Sequence, residues 1–332
     1  MRLRERYTPP MRAIVVTQFG GPEELRLADI PDPQPAPGQV VVRLHAAGVN
    51  PYEAYIRSGK YARLPELPYT PGSDGAGVVE SVGAGVTTVV PGARVYVATT
   101  IGRAGTYAER IACDSAMVHP LPDALSFSQG ASLGVPAATA YRALIIRAHA
   151  RASETVLVHG ASGGVGIAAV QFARGYGLRV IGTAGSAEGL DAVRRAGADH
   201  VLNHREDGYL AKIPELTGGK GVDIVLEMLA NVNLDHDLGA LAPKGRVVVI
   251  GNRGRVEIDA RQTMARESAI LGVTLWAATP DETRQTHAAI VAALASGVLK
   301  PAIGRELPLE AAPEAHRAVL EDSATGKVVL TM

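Results

Sequence analysis

The stretch Thr155–Gly166, TVLVHGASGGVG, runs from a block of aliphatic residues into a cluster of glycines and then into IAAVQFARGYG. A short apolar run ending at glycines and followed by helical periodicity reads as strand, tight turn and helix. Such a unit opens a βαβ fold and leaves backbone N–H groups at the helix N-terminus free to meet an anion. Gly160 allows the sharp turn, Gly163 and Gly164 let the backbone approach a pyrophosphate, and Gly166 lets the helix lie close to the sheet. The spacing departs from G-x-G-x-x-G. The context therefore carries the expectation of a dinucleotide, more than the motif does.

The residues that follow repeat the pattern. LRVIGTAG, HVLNH, DIVLEML, GRVVVIG and AILGVTLW read as strands, with helices such as SAEGLDAVRRAG between them. Strands that alternate with helices imply a doubly wound parallel sheet with helices on both faces. Up to about Ser128 the chain is different: short β-branched runs (RAIVVTQF, QVVVRLHAAGV, GAGVVESVG, ARVYVAT) are punctuated by Gly and Pro. These suit antiparallel strands in a barrel-like unit. The tail after residue 296 returns to mixed structure. The expected organisation is α/β: a β-rich catalytic domain from residues 1–128 and 297–332, with a Rossmann domain, 129–296, inserted between. The cleft of such a pair is the expected ligand site.

The end of the second Rossmann strand selects the cofactor. A site selective for NAD places an Asp or Glu there for the ribose hydroxyls. This chain has VIGTAGS, with Gly182, Gly185 and Ser186 and no acid. A carboxylate would repel a 2′-phosphate, whereas small neutral residues leave room for one. His204, Arg205 and Arg253 follow later strands and supply charge or hydrogen bonds, so NADPH is the expected cofactor.

Composition narrows the partners. Lys plus Arg and Asp plus Glu both total 33, so no global field draws the chain to nucleic acid or an anionic membrane. A single cysteine, Cys113, excludes an intramolecular disulfide and a four-cysteine zinc lobe, and fits a reducing cytosol. No apolar run reaches the ~18–20 residues of a membrane span. The arginine-rich start has no apolar signal-peptide core, and is expected to be a frayed extension before a strand at Arg12–Thr17.

The nine histidines include one H-x-x-x-H pair, His200 and His204 on the strand-like run HVLNH, and no H-E spacing of the kind that holds zinc, so no metal is expected. AAGVNPYEAYIRSGKY offers Asn50 where a dehydrogenase of this layout would offer a metal-binding cysteine. YTPGSDGAG offers Ser73 and Asp74 in place of a histidine–glutamate pair. Without a Lewis acid the alkoxide of a simple ketone is hard to stabilise, which favours quinones and conjugated carbonyls as substrates.

GVNPYEAYIRSGKY, LPYTPGSDGAGVVESVG, TAYRAL, VLVHGASGGVG, GTAGSAEG, LNHRE, EMLANVNL and GVTL, spread from Met11 to the C-terminus, resemble the zeta-crystallin-like quinone oxidoreductases, a zinc-free branch of the medium-chain dehydrogenase/reductase superfamily. The resemblance implies an NADPH-preferring reductase of ortho-quinones, yielding semiquinones by one-electron transfer, in a cytoplasmic homo-oligomer (dimer or tetramer) joined through its Rossmann sheets. It places Tyr55 against the cofactor and Ser162, Gly163, Gly164 and Val165 on the pyrophosphate turn. Gly185, Ser186 and His204 fall around the adenosine phosphate. Asn233, then Ile250, Gly251, Asn252 and Arg253, then Val273, Thr274 and Leu275 supply further cofactor contacts. Asn50 and Tyr55 are the leading pocket donors, with Tyr61 and Thr139 as further candidates. Tyr52 and Tyr55, three apart on a helix, are expected to share a face. Tyr52, and Arg103 with Ala104 in the loop TTIGRAGTYAE, depart from the family pattern and bear on quinone size.

Two other functions fit the same chain. A zinc-free pocket also suits hydride delivery to the β-carbon of a 2-alkenal or enoyl substrate. Related proteins bind AU-rich RNA, but zero net charge and 4% aromatic residues offer no basic groove or stacking platform.

Overall fold

The computed structural model describes residues 10–100, 102, 104–320 and 325–332. The N-terminal extension and Arg103 lie outside the described residues. The chain forms two compact units: residues up to Gly134 with Ile303–Glu321 and Lys327–Met332, and Val135–Ala302 with Asp322–Gly326. Both breaks fall six residues beyond the expected boundaries at 129 and 297. The reason is local: α2 (Phe127–Gly130), capped by Ser126 and Gln129, packs on the strands of the first unit.

In the first unit β1 (Met11–Val15) pairs with β2 (Arg26–Ile30). The main sheet has the order β14-β15-β3-β4-β5-β7, with β6 added beside β3. Its strands are β3 (Gln39–Val49), β4 (Asp74–Val82), β5 (Arg94–Ala98), β6 (Arg110–Asp114), β7 (Val118–Pro120), β14 (Ile303–Pro308) and β15 (Lys327–Thr331). α1 (Pro51–Arg57) follows β3, and Asn50 and Glu53 close a capping box at its start. In the tail, β14 and β15 run parallel, because α10 (Ala312–Ala318) crosses between them. Apolar side chains of β1, β3, β15, α1 and α10 bury together, with Ile14, Val49, Ile56, Ala315 and Leu330 among them.

The second unit begins in α3 (Gly134–Tyr141), which widens into a π-helical turn at Arg142–Arg147. Its sheet is parallel, in the order β10-β9-β8-β11-β12-β13. The strands are β8 (Thr155–Val158), β9 (Arg179–Ala184), β10 (His200–Asn203), β11 (Val222–Glu227), β12 (Leu241–Val249) and β13 (Ala269–Gly272). The helices are α4 (Gly164–Gly175), α5 (Ala187–Ala196), α6 (Ile213–Leu216), α7 (Ala230–Ala240), α8 (Arg261–Arg266) and α9 (Pro280–Ala295). Every residue of β8 and β11 is buried, as central strands covered on both faces must be. The chain goes outward from β8 in one direction and from β11 in the other. This makes their carboxyl ends the topological switch point, where open α/β sheets bind ligands. Among the described residues no helix is long and apolar enough to cross a membrane.

Candidate functional site

The glycine turn sits at that switch point. Gly160 has φ +54°, a conformation other residues adopt at a cost, and its N–H donates to Thr183 Oγ1 at 3.2 Å. Gly163 is the N-cap of α4. A Cβ on Gly166 would lie 2.5 Å from Ala161 Cα and from Gly160 O, so only glycine lets the helix start this close to its own turn. Ser162 O accepts from Gly326 N at 2.8 Å, which ties the turn to the segment ahead of β15. Ser162, Gly163, Gly164 and Val165 therefore stand at a helix N-terminus whose partial positive charge favours an anion.

The end of β9 carries no acid, and two basic side chains lie over it. A Cβ on Gly185 would meet His204 Nε2 at 2.6 Å and Arg205 Nε at 2.9 Å. His204 Nδ1 is 3.4 Å from Thr183 Oγ1. Ser186 has a structural duty as well: its hydroxyl accepts from Gly189 N at 3.1 Å and caps α5. Arg253 belongs to another group, its N–H donating to Asn231 Oδ1 at 2.8 Å, while Asn252 Nδ2 donates to Gly254 O at 2.7 Å.

Asn233, Ile250 and Gly251 converge on one residue absent from the sequence-based candidates. Glu227, at the end of β11, accepts from Asn233 Nδ2 at 3.2 Å through its side chain. Its main-chain oxygen accepts from Ile250 N at 2.8 Å and Gly251 N at 3.2 Å. Val273 is buried, and its N–H donates to Val249 O at 3.2 Å. Thr274 O accepts from Arg142 Nε at 3.2 Å, and Arg142 is itself ion-paired to Glu282 at 2.7 Å. Leu275 opens a single 3-10 turn. Thr139 is buried in α3.

In the first unit Asn50 is buried and central to a polar cluster. Its Nδ2 donates to Asp74 Oδ2 at 3.0 Å and its Oδ1 accepts from Lys327 Nζ at 2.5 Å. Lys327 also pairs with Asp74 at 2.9 Å, with both side chains at most 4% exposed. Glu53 accepts from Asn50 N, Ser73 N and Tyr107 O–H, at 2.9, 2.9 and 2.8 Å. Burial raises the Glu53 carboxyl to about 7, with Lys327 pulling it down and Asp74 pushing it up. His316, 3.2 Å from the Tyr107 hydroxyl, is lowered to about 3, chiefly by burial and then by Arg57. Tyr52 donates to Ser73 Oγ and its ring lies 5.7 Å from that of Tyr61. The ring pairing on this face is thus Tyr52 with Tyr61. Tyr55 is half-buried on α1.

Proximity in the sequence could not reveal Lys327, which is 253 residues from Asp74, nor Glu53, whose obvious local reading is a capping-box acid. Nor could spacing reveal a second buried group. His159, Glu227 and Asp237 bring their side-chain donor atoms within 4.8 Å of one another in the second unit.

A GroES-like β-rich unit joined to a Rossmann unit with a glycine turn at its switch point is the architecture of the medium-chain dehydrogenases/reductases. Two family profiles match, one described as an alcohol dehydrogenase GroES-like domain over residues 36–123 and one as a zinc-binding dehydrogenase over residues 164–292. The human quinone oxidoreductase is 53% identical over 97% of this chain and 98% of its own length. Among solved structures, the quinone oxidoreductase of Thermus thermophilus, studied also with NADPH, has a TM-score of 0.84 at 34% identity, covering 97% of this chain and 100% of that one. A protein described as an NAD-dependent alcohol dehydrogenase has a TM-score of 0.90 at 34% identity, with the same coverage. This chain belongs to the quinone oxidoreductase family of that superfamily.

The zinc implied by the second profile's description does not suit the residues present. Asn50, Ser73 and Asp74 stand at the positions in question, and the buried ammonium of Lys327 occupies the donor atoms of Asn50 and Asp74. A divalent ion there would face a fixed positive charge in a dry environment.

Proposed function

We propose that this chain is an NADPH:quinone oxidoreductase that works without zinc and passes electrons singly to ortho-quinones. The observation that carries the zinc-free part is the Lys327 ammonium, 2.9 Å from Asp74 and 2.5 Å from Asn50. It neutralises Asp74 with no metal, and leaves no Lewis acid to hold the alkoxide of a simple ketone. A quinone needs none, since its reduced forms spread their charge over an aromatic ring. The relatives named as quinone oxidoreductases support the substrate class.

For the cofactor, the acid-free end of β9 and the placement of His204 and Arg205 over Gly185 support NADPH over NADH. The N-terminus of α4 is suited to the pyrophosphate. Gly185, Ser186 and His204 are assigned to the adenosine phosphate, and Asn233, Ile250–Arg253, Val273–Leu275 and Tyr55 to the remaining contacts. When bound, the cofactor would supply two electrons and a proton, one electron to each of two quinones in succession, and leave as NADP⁺. The protein's part is to bind, orient and exclude water. Tyr55 is assigned as a hydrogen-bond donor to the quinone oxygens, with Tyr61 and Thr139 as further candidates; Asn50, buried with both amide hydrogens given to Asp74 and Glu53, is assigned to holding that cluster. Because a radical anion needs little protonation, no single essential acid is required.

A cytoplasmic homo-oligomer without a nucleic acid as its main partner completes this assignment. The terminal strand β13 supports the oligomer, since it ends the sheet and leaves Ile270 40% exposed. The test is turnover with NADPH and NADH against a panel of quinones and a 2-alkenal, with electron paramagnetic resonance detection. Fast NADPH oxidation with an ortho-quinone and a radical signal is expected. Faster turnover of the alkenal, or two-electron reduction without a radical, would defeat it.

A further inference from the structure

The carboxyl ends of β8 and β11 enclose a polar group that the electron transfer above does not use. His159 follows β8, Glu227 ends β11 and Asp237 lies in α7; their side chains are 3%, 0% and 0% exposed. His159 Nε2 is 2.8 Å from Asp237 Oδ1 and 3.5 Å from Glu227 Oε2. On the other side of the ring, the Tyr209 hydroxyl is 3.4 Å from Nδ1. A hydroxyl donating to Nδ1 leaves the ring proton on Nε2, directed at the carboxylates. Glu227 Oε1 is already taken, by Leu229 N and Asn233 Nδ2.

That leaves one oxygen of each acid, Glu227 Oε2 and Asp237 Oδ2, buried without a donor. Side-chain oxygens of the two acids lie within 4.8 Å of each other. The titratable groups that face them are His159 beyond β8, Tyr209 from the segment after β10, and each other; none of the groups acting on them is a lysine or arginine. Two ionised carboxylates held this way, with one imidazole N–H between them, are strongly disfavoured, and a proton between them satisfies both bare oxygens.

Resting on the NADPH assignment above, we propose that Glu227 and Asp237 share one proton, and that Glu227 held in this way is a positioning residue for the nucleotide-binding segments after β11 and β12. Glu227 bonds Leu229 and Asn233 through its side chain, and Ile250 and Gly251 through its main chain. Three of these four are cofactor candidates. Burial raises both acids to about 7 and lowers His159, so the second ionisation falls at the alkaline edge of neutrality with the imidazole uncharged. Once that proton leaves, repulsion from Asp237 turns Glu227 aside, and Asn233 and the Leu229 N–H lose their anchor.

The test is NADPH affinity, by fluorescence titration, and the KM–kcat split across neutral to alkaline pH in the wild type, Glu227→Gln and Glu227→Ala. The wild-type Kd and KM should rise several-fold as pH increases, with kcat little changed. In Glu227→Gln the amide donates permanently to Asp237 while its oxygen still accepts from Leu229 and Asn233, so its Kd should stay low and flat. Glu227→Ala should bind weakly at every pH. Infrared difference spectra report the proton directly: a protonated-carboxyl band at neutral pH should be absent from Glu227→Gln. An alkaline rise that persists in Glu227→Gln overturns the proposal, as does weak binding by a folded Glu227→Gln at all pH values. A missing carboxyl band does so too, and so does a stoichiometric divalent metal that Glu227→Gln loses. A wild type that shows the band but binds no NADPH overturns the positioning role through the cofactor assignment, and leaves the shared proton standing.

Discussion

Removing the Lys327 ammonium should expose how much of the first unit depends on it. Lys327 and Asp74 are 2.9 Å apart with side chains 4% and 0% exposed. At an effective dielectric near 20 the attraction is about 6 kcal/mol, set against a desolvation cost of several kcal/mol per ion. Lys327→Met removes the charge that balances the buried Asp74, and breaking a buried ion pair costs about 3–5 kcal/mol. Glu53 suffers as well, since Lys327 is the charge that pulls it down. The double variant Asp74→Asn/Lys327→Met removes both charges and should recover most of the loss, because a matched uncharged pair avoids the desolvation cost. Urea unfolding followed by circular dichroism on the two single variants and the double variant gives the coupling. A coupling above about 2 kcal/mol is expected for a buried pair. A loss below about 1 kcal/mol for Lys327→Met, or simple additivity, would refute the claim that this ammonium neutralises the site.

Three further outcomes follow. Arg205→Ala removes an exposed charge beside Gly185 and should lower the preference for NADPH over NADH by up to about tenfold, read from kcat/KM with each cofactor. Tyr55→Phe should keep substantial quinone turnover, and loss of nearly all activity with intact NADPH binding would show that its hydroxyl is essential. Glu53 titrates from 4.5 in the unfolded chain to about 7 in the folded one, so the folded state holds the extra proton between those values. Its contribution is fully present below about pH 4.5 and is lost as pH rises through about 7, a fall of about 3 kcal/mol at most. Glu53→Gln should flatten that part of a stability–pH profile.

The second unit was the more legible in sequence. Its strands are near-continuous apolar runs, and β8, the glycine turn and α4 follow each other directly, so a local reading suffices. Missing acids are also legible: the end of β9 shows its neutrality without any structure. The first unit hid more. The parallel pairing of β14 and β15 depends on α10 crossing between them, which short alternating strands do not announce. Lys327 reads as an ordinary strand residue in GKVVLTM, yet the fold brings it to Asp74, 253 positions earlier. His159 and Asp237 are 78 residues apart and meet only because β8 and β11 are sheet neighbours. Helical spacing put Tyr52 and Tyr55 three apart on α1, but the ring contact of Tyr52 with Tyr61, which comes from beyond the helix, was not legible from spacing.

The most direct test of the central claim is turnover with and without metal. Protein dialysed against a strong chelator and shown to be metal-free by mass spectrometry is assayed with NADPH and an ortho-quinone. Undiminished kcat and KM are predicted, with no gain on adding Zn²⁺. Activity lost on chelation and restored by Zn²⁺ would contradict the account.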